Sequence, residues 1–299
     1  MTETVGVVVP AYNAGRFLAD TLRSVAAQTR PADRVVVVDD GSTDDTAAVA
    51  AQFAHVNLVR QANAGVGAAR NRGVREITTD WVAFLDADDL WHPEKLQLQL
   101  EAARESGADS IFCGLDLIDA EGAPVSSPPS PAPSFSIEDL LLHAQTIPQG
   151  TSSTLLVRRA TFDAAGGYDE GLATMADWDL LIRLRERSEF AHVSRSLVSY
   201  RRYAGSMSRS VAMLDRESRL VLDKAFASRK GSPWNSLERR SRAWNDLVLS
   251  GSYFGVGDVR RAIAFGWRAV VRDPRLSVRI LSLPLRRMRR RRQEDPSAP

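Results

Sequence analysis

The chain has a single cysteine, Cys113, among its 299 residues, so it can form no intrachain disulfide. One thiol also excludes a structural zinc site built from cysteines, and the four histidines are not spaced as metal ligands are. No stretch approaches the roughly 18 consecutive apolar residues that a membrane span needs. The first residues turn directly into a strand-like run without the basic region of a signal peptide, so no signal peptide is expected. These absences together predict a protein of the reducing cytoplasm.

The overall composition is that of a globular protein, with 44% hydrophobic and 25% charged residues. The length allows a sizeable core in one large domain or two. The net charge of +2 hides an asymmetry, since residues 1–205 carry 18 basic and 28 acidic residues, whereas residues 206–299 carry 21 and 9. The acidic part argues against nucleic acid as a partner unless a metal ion intervenes, and the basic part suits an anionic surface.

Strand and helix patterns alternate through the first hundred residues. Four apolar runs predict strands, at Val5–Val9, Val35–Val38, Val56–Arg60 and Trp81–Leu85. Helical periodicity predicts helices at Arg16–Gln28, from a cap at Ser42 or Thr43 to about Phe53, at Gly65–Ile77, and at Glu94–Glu105 with Pro93 in the first helical position. This alternation predicts an α/β fold, a mostly parallel sheet flanked by helices on both faces.

The pattern changes after residue 106. A strand is predicted at 111–118 and a proline-rich exposed loop at 124–133, and strand and helix signals resume at 151–157 and 177–187. From about residue 207 the chain is predicted to be helical, with four aromatic packing anchors, Trp234, Trp244, Phe254 and Trp267. The predicted divisions are an α/β domain at 1–205 with halves at 1–106 and 107–205, a helical region at 206–285, and a basic tail at 286–299 that we expect to be disordered.

Aspartates directly follow two of the predicted strands. They are Asp39, Asp40, Asp86, Asp88 and Asp89. Because the carboxyl ends of parallel strands share one edge, where ligands bind, these carboxylates are expected to lie close together. Like charges at close range are costly unless a cation lies between them, and oxygen ligands favour Mg²⁺ or Mn²⁺ with substrate phosphates completing the coordination. The sequence therefore predicts a metal-bridged diphosphate at this edge; the alternative is that these aspartates are helix caps and turn formers.

Four blocks, in matching order and spacing, closely resemble the family 2 glycosyltransferases. They are Val8–Asn13 (VVPAYN), Val38–Thr46 (VDDGSTDDT), Asn63–Asn71 (NAGVGAARN) and Phe84–Asp89 (FLDADD). The resemblance extends over roughly residues 5–205. It implies the Rossmann-like GT-A fold for this part of the chain, and the helical region predicted from the residues after about 207 follows it.

The resemblance also implies roles for residues on the donor side. The residues that it places in nucleotide binding are Pro10, Ala11, Tyr12, Asp39, Asp40, Arg70, Asp86 and Ala87. Asp39 is implied to bind the base and Asp40 to lie beside the ribose. Asp86, Ala87 and Asp88 match the DxD motif of the family, in which the first residue, Asp86, faces the ribose and sugar. The last residue of that motif, Asp88, is implied to coordinate Mg²⁺ or Mn²⁺ on the diphosphate. Arg70 is a candidate for contact with the base or phosphate; the alternative is that it pairs with an exposed carboxylate of its own helix.

On the acceptor side, Gly166–Glu170 followed by Ala176–Leu181 resembles the family motif in which a Glu-Asp pair contains the catalytic base. Ala176 replaces the Glu and Asp177 is retained, so the resemblance implies that Asp177 is the base. Asp179 lies two residues on and points elsewhere on a helix.

Tyr200–Ser208 resembles an element that closes over the diphosphate. The resemblance implies that Arg201 neutralises phosphate; the alternative is an ordinary surface arginine. Many relatives have His at the position of Tyr203.

The predicted function is metal-assisted, inverting transfer of a sugar from a UDP, GDP or dTDP type donor to a glycan or lipid-linked acceptor in polysaccharide biosynthesis. A metal neutralises the leaving diphosphate, and a carboxylate opposite it takes the proton of the attacking hydroxyl. Two alternatives stay open. One is a protein that binds a nucleotide sugar without turnover, in line with the departures at Ala176 and Tyr203. The other is a phosphatase with an Asp nucleophile, which would leave Asp39 and Asp40 unexplained.

Six of the seven residues at 286–292 are arginine, and they follow the apolar stretch Ile280–Leu285. The run is either a solvated tail or a contact with the inner face of the membrane, where each charge contributes about 1 kcal/mol near anionic lipid. On the second interpretation the protein is cytoplasmic and peripheral at that membrane.

The membrane interpretation predicts salt-sensitive binding to anionic liposomes that is lost when the chain is truncated after Leu285. Liposome flotation at low and high salt measures it. Equal binding by the truncated protein would show that the arginines are a solvated tail.

Overall fold

The computed structural model describes residues 3–128, 135–142, 152–203 and 211–277. The chain divides into two compact units: residues 1–140 with 144–209, and residues 141–143 with 210–299. The predicted closing element beyond Tyr203, the prolines after Pro128 in the predicted loop, the stretch Ile280–Leu285 and the arginine run lie outside the described residues.

The first unit is built on a nine-stranded sheet. Its strands are β1 (Val5–Ala11), β2 (Arg34–Asp39), β3 (Val56–Arg60), β4 (Trp81–Phe84), β5 (Leu90–Trp91), β6 (Ser110–Ile118), β7 (Pro124–Ser126), β8 (Leu156–Arg158) and β9 (Phe190–Arg201). The helices that accompany it are α1 (Gly15–Ala26), α2 (Thr46–Ala50), α3 (Val66–Arg75), α4 (Lys95–Ser106), α5 (Ile137–Leu141), α6 (Arg159–Ala164) and α7 (Ala176–Arg185). The predicted α/β class is confirmed.

The strand order is β3-β2-β1-β4-β8-β6-β9-β5. The short strand β7 pairs with the last two residues of β6. The four strands predicted first, β1 to β4, pair in parallel as expected. In the second half of the unit, β8 is antiparallel to both β4 and β6, and β6 is parallel to β9. The sheet is therefore parallel where the donor residues are predicted and mixed beyond it.

The centre of the sheet forms the core because β1 is buried along its whole length and β2 along all but its first residue. The helix α1 covers one face with Phe17, Leu18, Leu22 and Val25, the apolar positions of its predicted period. The helix α3 lies close against β1 at Gly73, where an added Cβ would come within 2.3 Å of Val8 Cγ1. The parallel pairing of β1 with β2 and with β4 brings the carboxyl ends of these three strands to one edge of the sheet.

Two predicted helix starts are wrong. Helix α2 begins at Thr46 and ends at Ala50, because Ser42 is used elsewhere: its N–H donates to Asp39 and its hydroxyl accepts from the N–H of Asn13. Helix α4 begins at Lys95 after a cap at Glu94, so Pro93 lies before the helix, where its carbonyl accepts from the N–H of Thr29. In both cases contacts between loops decide where the helix begins.

The second unit contains α8 (Val211–Ala227), α9 (Trp234–Gly255) and α10 (Val259–Arg272), followed by a single 3₁₀ turn. Trp244 packs beside a core of Ala243, Leu247, Ala269 and Leu276, as predicted. Phe254 and Trp267 do not serve as packing anchors, since they are 46% and 70% exposed. None of the helices in the described parts of the chain has both the length and the apolar character needed to cross a bilayer.

Candidate active site

The predicted donor residues lie at the carboxyl ends of β1, β2 and β4. At the end of β1, Pro10 and Ala11 are buried within the sheet, and the ring of Tyr12 is 53% exposed. The next residue, Asn13, has a positive φ of 49° and accepts a hydrogen bond from the N–H of Thr43 at 2.9 Å. This bond ties the loop after β1 to the loop after β2.

Asp39 and Asp40 are both buried, and both carboxylates are hydrogen-bonded within the protein. Asp39 accepts from the N–H of Ser42 and from Arg60 Nε, each at 2.9 Å. Asp40 accepts from Gln61 Nε2 at 2.8 Å and from the backbone N–H groups that lead into α3. Asp39 therefore shapes the turn after β2 and Asp40 shapes the loop before α3, in agreement with their interpretation as turn formers. Their contact with base and ribose stays a prediction.

Arg70, on α3, is the charged centre of the site and is only 4% exposed. Its Nη2 donates to Asp86 Oδ1 at 2.6 Å, and its Nη1 donates to Asp177 Oδ1 at 3.1 Å. The guanidinium also lies over the ring of Tyr168, 4.9 Å from the centroid. Burial alone lowers the pKa of Arg70, but Asp86 and Asp177 outweigh it, so the pKa is raised and the cation is permanent. The alternative of a surface pair on its own helix is therefore wrong.

Asp177 lies in the first turn of α7, with a side chain 22% exposed. Besides Arg70, its Oδ1 accepts a short hydrogen bond from Ser152 Oγ, which is 2.6 Å from the hydroxyl of Tyr168. Burial raises the pKa of Asp177 and Asp86 raises it further, while Arg70 and Ser152 lower it. These residues border a small cavity whose lining includes Ser152, Tyr168 and Asp177. The carboxylate is thus held in one orientation.

The neighbouring acidic residue of α7, Asp179, belongs to a different part of the structure. It is 3% exposed and accepts from Arg183 Nε at 2.9 Å and Nη2 at 2.6 Å. Arg183 in turn donates to the carbonyls of Ala165 and Gly167. Asp179 therefore braces the loop before α7. Ala176, where the resemblance implies a Glu in the family, is completely buried.

Three carboxylates crowd the loop after β4. Asp86 is paired with Arg70, and Asp89 is buried, accepting from Ser153 Oγ at 2.6 Å and from the N–H of Arg201 at 3.0 Å. Burial and the charge of Asp86 raise the pKa of Asp88 to about 6, although a hydrogen bond from Tyr203 and the charge of Arg201 lower it. The carboxylate oxygens of Asp88 thus lie in a negatively charged environment. Such oxygens are the ligands that a hard divalent cation prefers.

The described residues do not complete a metal site by themselves. Among them, no group of three or more His, Cys, Asp or Glu side chains is arranged to hold a metal ion. Asp88 fits a cation that takes most of its remaining oxygen ligands from a bound diphosphate or from water. The chemistry of the donor set therefore agrees with the predicted Mg²⁺ or Mn²⁺.

Arg201, at the end of β9, is buried and holds two loops in place. Its Nε donates to the carbonyl of Asp88 at 2.8 Å, and its Nη1 donates to the carbonyls of Asp119 and Ala120. Its guanidinium also lies over the ring of Phe17, 4.7 Å from the centroid. The alternative of an ordinary surface arginine is therefore wrong. Its charge acts on Asp88, and contact with phosphate stays a prediction.

Several residues of the site were not predicted from the sequence. Ser152 and Ser153 contact Asp177 and Asp89 from a short 3₁₀ turn before β8, and only a polar run at this point marks them in the sequence. Tyr168 lies in the segment Gly166–Glu170, and the side chain of Asn71 binds its backbone N–H and carbonyl. Their contacts join segments far apart in the chain, so spacing alone could not reveal them.

Comparison with known proteins finds a family model that matches the amino-acid sequence. The model of the family described as glycosyl transferase family 2 matches residues 6–164. An uncharacterized glycosyltransferase of Nostoc sp. is 38% identical over 141 residues, 46% of this chain and 44% of that protein. The succinoglycan biosynthesis protein ExoO of Rhizobium meliloti is 28% identical over 94% of this chain and 84% of its own length. The chain spans half or less of the length of several other curated relatives that it matches.

Solved structures share the fold. The crystal structure of Staphylococcus aureus TarS residues 1–349, in complex with UDP-GlcNAc, matches with a TM-score of 0.63 at 15% identity. The match covers 91% of this chain and 92% of that one. At this identity the likeness shows the fold alone, and it confirms the predicted GT-A-like arrangement.

Replacing Arg70 by Met is expected to lower the free energy of unfolding by roughly 3 kcal/mol near neutral pH, because two carboxylates lose their buried partner. Without Arg70 the already raised folded-state pKa of Asp177 rises further. The cost then grows as the pH rises from the unfolded-state pKa toward the folded one, so the deficit is smaller at about pH 5 than at about pH 7.5. Urea unfolding at both pH values measures it.

Arg72→Met is the matched control, since Arg72 lies on the same helix in a surface pair with Glu76 and its side chain is 46% exposed. It is expected to cost less than about 1 kcal/mol. Equal deficits for the two variants would contradict the role assigned to Arg70.

Proposed function

Because the chain belongs to glycosyl transferase family 2, we propose that it transfers a sugar from a nucleoside diphosphate donor to a hydroxyl group of a growing glycan. The observation that carries the proposal is the placement of Asp86 and Asp177 on either side of one buried guanidinium. The aspartate that we assign to the donor side, Asp86, and the aspartate that we assign as proton acceptor, Asp177, share this one partner. This supports turnover over binding alone, although Ala176 replaces the family's Glu.

The donor is proposed to bind at the carboxyl ends of β1 and β2. The exposed ring of Tyr12 offers a surface against which a base can stack, beside Asp39 and Asp40. The acidic character of this unit requires that the charge of the diphosphate be compensated locally. UDP, GDP and dTDP sugars all fit this description, and the TarS complex with UDP-GlcNAc shows that the same fold accommodates a nucleotide sugar.

The proposed metal ligand is Asp88, close to Asp86 and to the cationic side chain of Arg201. A bound Mg²⁺ or Mn²⁺ would supply neutralisation of the negative charge on the leaving diphosphate. The protein's own part is to hold Asp88 at the end of β4, through the hydrogen bond of Arg201 to its carbonyl and that of Tyr203 to its carboxylate.

Asp177 is proposed to be the general base. The acceptor oxygen attacks the anomeric carbon, the bond from that carbon to the diphosphate oxygen breaks, and the electron pair leaves with the diphosphate. The proton of the attacking hydroxyl passes to the carboxylate of Asp177. Burial makes this carboxylate a stronger proton acceptor by raising its pKa. The charge of Arg70 lowers the pKa and so favours the ionised form that accepts the proton. Attack opposite the leaving group inverts the anomeric centre.

The acceptor is proposed to be a glycan or lipid-linked sugar in polysaccharide biosynthesis. Support comes from ExoO, which is named for succinoglycan biosynthesis and is similar over 94% of this chain.

Asp177→Asn is expected to reduce sugar transfer by at least about a hundredfold, because the amide cannot take the proton. Donor binding should stay close to that of the unchanged protein, since Asp177 is placed on the acceptor side. Initial rates and donor affinity measured on the same samples separate the two effects. Asp179→Asn is the control, and its folded fraction should retain activity because Asp179 braces a loop. An Asp177→Asn variant with most of its activity would show that another group is the base.

A matching nucleoside diphosphate is expected to raise the melting temperature only when Mn²⁺ is present. A ligand at about 100 times its Kd stabilises the native state by about 2.7 kcal/mol. The panel is UDP, GDP, dTDP and CMP, each with and without Mn²⁺, on the unchanged protein and on Asp88→Asn. The variant should lose the Mn²⁺-dependent part of the shift. An equal shift in the variant would contradict the assignment of Asp88 as the metal ligand.

A further inference from the structure

The helix α10 carries a row of exposed apolar side chains. Val259, Ile263, Trp267 and Val271 follow one another at four-residue intervals and are 49%, 68%, 70% and 62% exposed. This interval places them along one side of a helix. The core-facing side is formed by Ala262, Phe265, Gly266 and Ala269, which are buried. The helix therefore has an apolar face in the core of its unit and a second apolar face in solvent, which we call the α10 face.

The charged residues of α10 itself are all basic, and Arg261 pairs with Asp258 at the start of the helix. Between Val259 and Arg272 there are four arginines and no acidic residue. Arg260 lies on the exposed side and has no ion-pair partner among the residues that the structure describes. Arg268 and Arg272 share the single carboxylate of Asp246. An apolar row bordered by excess positive charge is complementary to an apolar layer covered by negative charge.

We propose that the α10 face binds the surface of an anionic lipid bilayer, with the helix lying in the plane of the membrane. A helix of 14 residues is about 21 Å long, too short to cross the hydrocarbon core but sufficient to rest in the interface. Trp267, at the centre of the row, has the amphipathic ring that is enriched at membrane interfaces. The arginines can then pair with lipid phosphates beside the buried row.

A second copy of the chain is a poorer partner for this face. In a symmetric dimer the same face meets itself, so the arginines of one copy would be brought toward the arginines of the other. Like charges facing each other at an interface cost several kcal/mol. A row of four side chains also offers little area compared with the roughly 800 Å² per partner of a stable interface. The excess charge favours the lipid surface.

The sequence that follows α10 supports the same partner. Residues 280–285 are mostly apolar, and six of the next seven residues are arginine. Stable membrane attachment takes two signals, such as an inserted apolar element and a polybasic segment. The α10 face is the apolar signal in the described part of the chain. The proposal does not depend on sugar transfer, because binding to lipid is measured without a donor or an acceptor.

The test is flotation of the full chain with vesicles of phosphatidylcholine alone and of phosphatidylcholine mixed with phosphatidylglycerol. The unchanged protein should bind the mixed vesicles. The double variant Ile263→Gln, Trp267→Gln should bind them at least about tenfold more weakly. The reason is that it lacks two apolar side chains that the proposal inserts into the bilayer surface. Leu220→Gln is the control, because Leu220 is an exposed apolar residue on α8 and should be neutral. Both positions of the double variant are exposed, and circular dichroism checks that the helices are retained.

Two results would overturn the proposal. The first is unchanged vesicle binding by the double variant, which would assign any binding to the segment after α10. The second is a dimer of the unchanged protein in sedimentation equilibrium that the double variant loses, with vesicle binding equal in both. Nucleotide-dependent stabilisation of the double variant is measured on the same preparation, so failure of lipid binding and failure of the proposed function are distinguished.

Discussion

The guanidinium of Arg70 is buried between two carboxylates from distant parts of the first unit, Asp86 after β4 and Asp177 at the start of α7. A charge at 4% exposure is costly unless it is paired, and each carboxylate would face the other if the arginine were removed. The ion pairs therefore join residues 1–106 to residues 107–205 of the first unit. The proposed chemistry depends on the same contact, because it fixes the position of the proposed base relative to the DxD motif.

The loop after β4 shows how the protein keeps negative charge in a small space. Asp89 is stabilised by Ser153 and by the backbone of Arg201, while Asp88 retains a pKa raised to about 6 by burial and by Asp86. Arg201 binds the loop through carbonyl oxygens and through the ring of Phe17. The repulsion between the carboxylates of Asp86 and Asp88 would be reduced by a cation bound between them and a diphosphate. The arrangement that is unfavourable without a cation therefore favours binding of the proposed ligands.

The two units divide the charge of the chain between them. The acidic part contains the carboxylates of the candidate site, and residues 206–299 carry a net excess of 12 basic residues. In the helical unit, α10 carries four of these basic residues and an exposed apolar row that the core does not need, since the helix already buries Ala262, Phe265 and Ala269. Selection for folding alone does not require Ile263 and Trp267 on the outer side, and their exposure is the reason for assigning that side a partner.

The sequence by itself determined the α/β class, the parallel pairing of β1 to β4 and the position of the DxD motif, because these follow from local periodicity and from short motifs at strand ends. It did not determine that Arg70 pairs with Asp177, 107 residues away, or that Ser152 and Tyr168 orient that carboxylate. The start of α2 and the exposure of Trp267 were also mispredicted. Those features were decided by tertiary structure, since partners distant in the chain determine which hydrogen bonds are made and which face of a helix is buried.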